Sequence, residues 1–259
     1  MIFRSLRSFV AFSVIGLSIH ASKAETLVTT IDRIKPSVVV IGAFNKLTAP
    51  QFQMRGTGFV ISPGNLIATN AHVLPESTDP DTRLAILQPG ATFAGTNLRE
   101  ATVIGRDKEH DLAILRISGL PLPALNLTNS DSVKEGQSIA FTGFPIGGAL
   151  GFSPVTHRGM ISSITPIVLP SNNSRQLNEK LINQMKRGTF SIFQLDATAY
   201  PGNSGSPVFD IQSGDVIGVI NMVFIKGLRE TALSQPSGIS YAIPSNYLLE
   251  LSRRSIAPD

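Results

Sequence analysis

The stretch "TAYPGNSGSPVFD", residues 198–210, places Ser204 between a Pro-Gly-Asn run and Gly205. So many turn-forming residues before a short apolar segment read, by themselves, as a tight turn entering a strand. A serine hydroxyl attacks a carbonyl at neutral pH only with a base to take its proton and a carboxylate to hold that base in one tautomer. His72 is the penultimate residue of the stretch "GTGFVISPGNLIATNAHV", and Asp111 directly precedes an apolar run in "GRDKEHDLAILRI". Taken singly, a histidine at a strand end is more often structural, and an aspartate there is usually a solvated turn residue. Together the three supply a base, an orienting carboxylate and a nucleophile.

Their order along the chain is His, Asp, Ser, with gaps of about 40 and then about 90 residues. That is the order of the chymotrypsin-type triad, not of the subtilisin or α/β-hydrolase types. The hydrolase alternative also needs G-x-S-x-G, whereas position 206 is Ser. A tetrahedral oxyanion calls for two backbone N–H groups, presented by a tight loop whose first donor sits where glycine is favoured. The loop Gly202-Asn203-Ser204 fits, with Gly202 and Ser204 as donors and Gly205 leaving the far side uncrowded.

The elements that must position these residues are mostly short β-like runs punctuated by Gly, Pro, Asn and Asp. Six precede residue 118: "SVVVIGAF", "QMRGTGFVIS", "NLIATN", "RLAILQ", "LREATVIG" and "LAILRI". Six follow residue 136: "QSIAFTGF", "HRGMISSI", "SIFQLDA", "SPVFD", "VIGVINMVF" and "GISYAI". The turn-rich segment 118–136 reads as a crossing linker. Strands without alternating long helices predict an all-β chain in two antiparallel halves. Helices are expected in "TLVTTIDRIKP", stopped by Pro36, in "SRQLNEKLINQMKRG", and in "SNYLLELSRR", capped by Ser245 or Asn246 and packed on the body.

Composition limits the remaining possibilities. The chain has 259 residues, 42% of them hydrophobic, enough to bury a full core. It contains no cysteine, which excludes disulfides, thiolate metal sites and cysteine nucleophiles. Residues 1–24 read as a signal peptide: Arg4 and Arg7, then an apolar run from Phe9 to Ile19, then Ser22 and Ala24 before the expected cleavage point. The run is short of the roughly 20 residues a spanning helix needs, so no stable membrane anchor is expected. Removing Arg4, Arg7 and Lys23 takes the net charge from +4 to +4 − 3 = +1. No basic cluster then survives to support nucleic-acid binding.

Through "KPSVVVI", "GTGFVIS", "IATNAHV", "GRDKEHDLAIL", "FTGFPIG", "LDATAYPGNSGSPVFD", "VIGVIN" and "GISYAIPSN", the chain resembles the protease domain of the HtrA/DegP family of trypsin-like serine peptidases over roughly residues 35–255. The resemblance implies two six-stranded antiparallel β-barrels and a C-terminal helix. The first barrel would cover about 35–118 and the second about 137–245, within a peptidase domain of residues 25–259. It further implies endoproteolysis of polypeptides without a cofactor or metal, the triad His72, Asp111 and Ser204, and an oxyanion loop at Gly202, Asn203 and Ser204. Thr198 would sit near the base of the S1 pocket, with Met222 and Ile239 as walls. With no carboxylate at Thr198, a small or aliphatic P1 residue is expected over Arg or Lys.

Several family features are modified. No PDZ domain is expected after "AIPSN", the segment 163–188 is longer than in better-known members, and the resemblance allows a trimer without a strong N-terminal signal for one. Asn203 stands where trypsin-type zymogens carry the aspartate that receives a new N-terminus, so activation of that kind is not expected. A signal peptide with no cysteine in the chain predicts a periplasmic or secreted location, and quality control of unfolded exported proteins is what the resemblance implies. Two rival functions stay open: a non-catalytic binding protein on the same scaffold, and an esterase using the same triad.

Overall fold

The computed structural model describes residues 26–75, 79–88, 98–146, 152–166, 190–222 and 238–256. Helix α1 (Leu27–Ile34) leads through a 3-10 turn at Lys35–Ser37 into the first barrel. That barrel contains β1 (Val38–Phe44), β2 (Phe52–Ile61), β3 (Leu66–Asn70), β4 (Arg83–Leu87), β5 (Leu98–Asp107) and β6 (Leu112–Ile117). They close in the order β1-β2-β3-β6-β5-β4. The second barrel contains β7 (Ser138–Gly143), β8 (Val155–Pro166), β9 (Ser191–Asp196), β10 (Pro207–Asp210), β11 (Val216–Ile220) and β12 (Ile239–Pro244). It closes as β10-β11-β12-β9-β8-β7, and every ladder in both barrels is antiparallel. Helix α2 (Ser245–Ile256) follows β12 directly.

The continuous apolar runs of the sequence have a clear cause. Side chains alternate between the two faces of a strand, so a strand buried on both faces needs apolar residues throughout. In β1, Val39 and Ile41 fill the interior of the first barrel, while Val38 and Val40 join a second core between the barrels. In β7, Ile139 and Phe141 fill the second barrel and Ala140 faces the shared core. Phe59, Phe209, Val219, Ile243, Leu248 and Leu251 belong to that shared core, so the barrels and α2 are packed as one body.

Helix α2 departs from its expected local capping. Ser245 Oγ donates to the Thr128 carbonyl, and Asn246 exchanges bonds with Ser130. Both side chains therefore tie the helix to the inter-barrel linker instead of satisfying its own first N–H groups. The helix expected within 174–188, and all of the long segment beyond residue 166 up to 189, lie outside the described residues. So do residues 1–25, which include the expected signal peptide.

Candidate active site

Strand β3 runs from a fully buried interior to Asn70, and a single 3-10 turn, Ala71–Val73, then lifts His72 to the surface. Asp111 lies across from it, in the turn joining β5 to β6. That turn is held by Asp107, whose Oδ1 accepts the N–H groups of Glu109 and His110 and whose Oδ2 meets His110 Nδ1 at 2.8 Å. The His110 ring is stacked on Tyr247 of α2 at 4.0 Å, and Arg254 of the same helix reaches Asp107 at 3.5 Å. Burial pushes the Asp107 carboxyl up, but these bonds, the His110 side chain foremost, more than offset it and hold the group below the ordinary carboxylate value.

This turn forces Asp111 to φ +52°, a left-handed conformation that aspartate tolerates better than most side chains. The consequence is a double engagement of the neighbouring segment. The Asp111 carbonyl accepts from Ala71 N at 3.0 Å and from Asn70 Nδ2 at 3.1 Å. Its carboxylate accepts His72 N at 2.8 Å through Oδ1 and meets His72 Nδ1 at 2.5 Å through Oδ2. A carboxylate can only accept, so the proton sits on Nδ1 and Nε2 is left as the acceptor.

A third donor comes from the other barrel. Asn221, fully buried just after β11, donates Nδ2–H to Asp111 Oδ2 at 2.7 Å. Sequence reading missed this residue, although it lies within the quoted motif "VIGVIN". An asparagine at the end of an apolar strand carries no local sign of a partner 110 positions away.

Ser204 is delivered by a β-turn. Asn203 N donates to the Tyr200 carbonyl at 2.9 Å, and Gly202 has φ +100°, with Pro201 before it. Proline at the second position and a positive φ at the third define a type II turn, which is why Pro-Gly occurs here. A Cβ on Gly202 would also collide with the Phe144 carbonyl oxygen. The Pro201 carbonyl accepts from Ile146 N at 2.7 Å. Across a trans peptide that fixes the Gly202 N–H in the opposite direction.

Contact with the first barrel comes through β2. Thr57 N donates to the Ser204 carbonyl at 2.8 Å. A Cβ on Gly56 would stand 2.8 Å from Val73 and 2.9 Å from that same carbonyl oxygen, so Gly56 admits both the His72 turn and the Ser204 loop. The structure therefore joins His72 directly to Asp111 and sets Ser204 beside the His72 turn. Among the described residues no hydrogen bond links Ser204 to His72, a looseness common before substrate tightens such contacts.

The segments that carry the three residues expected at S1 adjoin one another in the second barrel, where Ala197 N donates to the Gly238 carbonyl at 3.0 Å. The 197–199 segment lies against β12: Ala199 N donates to Ser240 Oγ at 2.8 Å and Ser240 Oγ donates to the Ala197 carbonyl at 2.7 Å. Thr198 and Met222 are half-buried on this side of the second barrel. Ile239 pairs with exposed Asp196 and is 42% exposed, while its neighbour Ser240 is buried toward the barrel.

The model of the trypsin-like peptidase domain matches residues 56–219, a span that runs from the β2 glycine through Ser204 to β11. The chain belongs to the trypsin-like peptidase family. Named relatives of this chain include proteins called "Probable periplasmic serine endoprotease DegP-like". One, from Chlamydia pneumoniae, is 35% identical over 74% of this chain and 32% of the relative. Another, from Pseudomonas fluorescens, is 30% identical over 78% of this chain and 35% of the relative. "Serine protease HTRA4" of Mus musculus is 31% identical over 86% and 40%. The chain spans between about a third and two fifths of the length of these relatives.

Proposed function

We propose that this chain is a serine endopeptidase that hydrolyses polypeptides through an acyl-enzyme, with Ser204 as nucleophile, His72 as general base and acid, and Asp111 as the orienting carboxylate. The observation that carries this reading is the Asp111 carboxylate, which binds both the main-chain and ring N–H of His72 while Asn221 holds it from the second barrel. In that arrangement His72 Nε2 accepts the Ser204 proton as Oγ adds to the scissile carbonyl. The tetrahedral oxyanion is received by the N–H groups of Gly202 and Ser204. His72 returns the proton to the leaving amine, and water, activated in the same way, then releases the acid and restores the serine.

Thr198 at the pocket base brings no negative charge, and the proposed P1 residue is accordingly small or aliphatic. The names of the relatives, together with the signal-peptide-like start, support a periplasmic or secreted location, where the proposed substrates are unfolded exported proteins.

Labelling with a fluorophosphonate, read by intact mass alongside digestion of unfolded casein, tests the reading. One adduct at Ser204 and casein cleavage are expected, both lost in Ser204→Ala. Labelling with ester turnover but no cleavage of casein or peptides would replace the peptidase by an esterase. Casein cleavage that persists in purified Ser204→Ala would overturn the assignment of the nucleophile.

A further inference from the structure

Thr57 lies on β2 of the first barrel, is fully buried, and touches neither His72 nor Asp111 through any hydrogen bond among the described residues. Its polar atoms are nevertheless all engaged with the segment that carries Ser204 or with the strands flanking it. The main-chain N–H donates to the Ser204 carbonyl at 2.8 Å. The hydroxyl donates to the Gly202 carbonyl at 2.7 Å and accepts Phe144 N–H at 3.1 Å. The carbonyl accepts Thr69 Oγ1 at 2.7 Å, which anchors the residue to β3, the strand leading to His72.

The direction of the hydroxyl bond is fixed by chemistry. A backbone carbonyl cannot donate and a backbone N–H cannot accept, so the single hydroxyl proton goes to Gly202 and a lone pair faces Phe144. The two residues whose carbonyls Thr57 holds are Gly202 and Ser204, the same two whose N–H groups face the oxyanion in the proposed mechanism. Ile146 N already fixes the peptide plane before Gly202 through the Pro201 carbonyl. Thr57 fixes the plane after it. With φ at +100°, Gly202 lies in a region where glycine has wide freedom, and pinning both planes removes that freedom.

We propose that Thr57 is a positioning residue for the oxyanion donors: its hydroxyl and N–H, supplied by the first barrel, hold Gly202 and Ser204 of the second barrel in the orientation that presents both N–H groups to the transition state. The proposal rests on the triad reading given above. It makes catalysis depend on the seating of one barrel on the other through a side chain that never meets substrate. A preorganised donor contributes to the transition state more than to ground-state binding, so loss of the Thr57 hydroxyl affects the chemical step.

The test measures phosphonylation of Ser204 by a fluorophosphonate in wild type, Thr57→Val, Thr57→Ser and Ser204→Ala, with casein digestion in parallel. Valine keeps the shape and removes both hydroxyl bonds, leaving the Gly202 carbonyl and Phe144 N–H unpaired. The saturating rate of Thr57→Val is expected to fall about 10- to 100-fold, below the roughly 100- to 1,000-fold loss of an entire oxyanion donor. The half-saturating concentration is expected to stay within about threefold, and Thr57→Ser to recover the rate to within about threefold of wild type. A merely structural residue would not give this separation of rate from binding, nor rescue by serine.

A saturating rate in Thr57→Val within twofold of wild type, with Ser204→Ala inert, would overturn the proposal and leave the triad standing. Thr57→Ser as slow as Thr57→Val would overturn it equally. Activity in Ser204→Ala would instead overturn the triad reading on which it rests. Should Thr57→Val fail to fold, Thr57→Cys, whose thiol is a weak donor, takes its place: a rate between those of serine and the unlabelled baseline supports the proposal, and a wild-type rate refutes it.

Discussion

Replacing Asn221 by alanine removes one donor from the Asp111 carboxylate without touching His72 or Ser204. The bond is 2.7 Å long, fully buried at the Asn221 end, and directed at Oδ2, the oxygen that also meets His72 Nδ1. A hydrogen bond to a charged group is worth about 1.5–3 kcal/mol net. If that whole contribution served to aim the carboxylate, kcat/KM would fall about 10- to 100-fold, at about 1.4 kcal/mol per tenfold. His72 N still binds Oδ1 in the variant, so the carboxylate keeps one fixed oxygen and the smaller figure is expected. The isosteric Asn221→Asp sets a second carboxylate against the first in a buried site and should cost more than alanine in both rate and stability. The assay is initial-rate cleavage of a fluorogenic casein, with active sites counted by fluorophosphonate and folding followed by thermal melting. An Asn221→Ala enzyme within twofold of wild type per active site, at unchanged melting temperature, would refute the idea that the second barrel aims Asp111.

Two further perturbations bear on neighbouring parts of the site. Gly202→Ala puts a Cβ at φ +100° and against the Phe144 carbonyl oxygen, so the turn must shift and the proposed first oxyanion donor with it. Turnover of casein is expected to fall about 100- to 1,000-fold while circular dichroism still reports a folded protein. His157, on β8, stacks on Phe141 at 4.9 Å and lies 5.9 Å from Tyr200, and burial pushes its imidazole below the ordinary value of 6.5. The unfolded chain therefore takes up this proton at a higher pH than the folded one, and the stabilisation is complete above 6.5 and declines as pH falls below it. Melting temperature measured from pH 7.5 to 5 should drop less steeply in His157→Phe than in wild type, and identical slopes would rule out His157 as a source of the decline.

The pattern of the chain by itself determined the strands and the order of the chemistry. Runs such as "VVVI" in β1 and "LAIL" in β6 announce strands because strands buried on both faces need apolar residues at every position. Pro201-Gly202 announces the turn before Ser204 because only glycine readily takes the third place of a type II turn. Such signals are local, held within a few residues, and legible without a fold.

Only the tertiary structure decided which polar side chains meet across the two barrels. Thr57 reaches Gly202 and Asn221 reaches Asp111, and both Thr57 and Asn221 sit in strand segments whose sequence advertises packing alone. The exposure of Ile239 was likewise settled by register, since one residue of slip reverses every face of a strand. Hydrogen bonds between distant segments depend on how closed barrels seat against each other, and the apolar core that seats them constrains polar partners through geometry that has no local counterpart in the sequence.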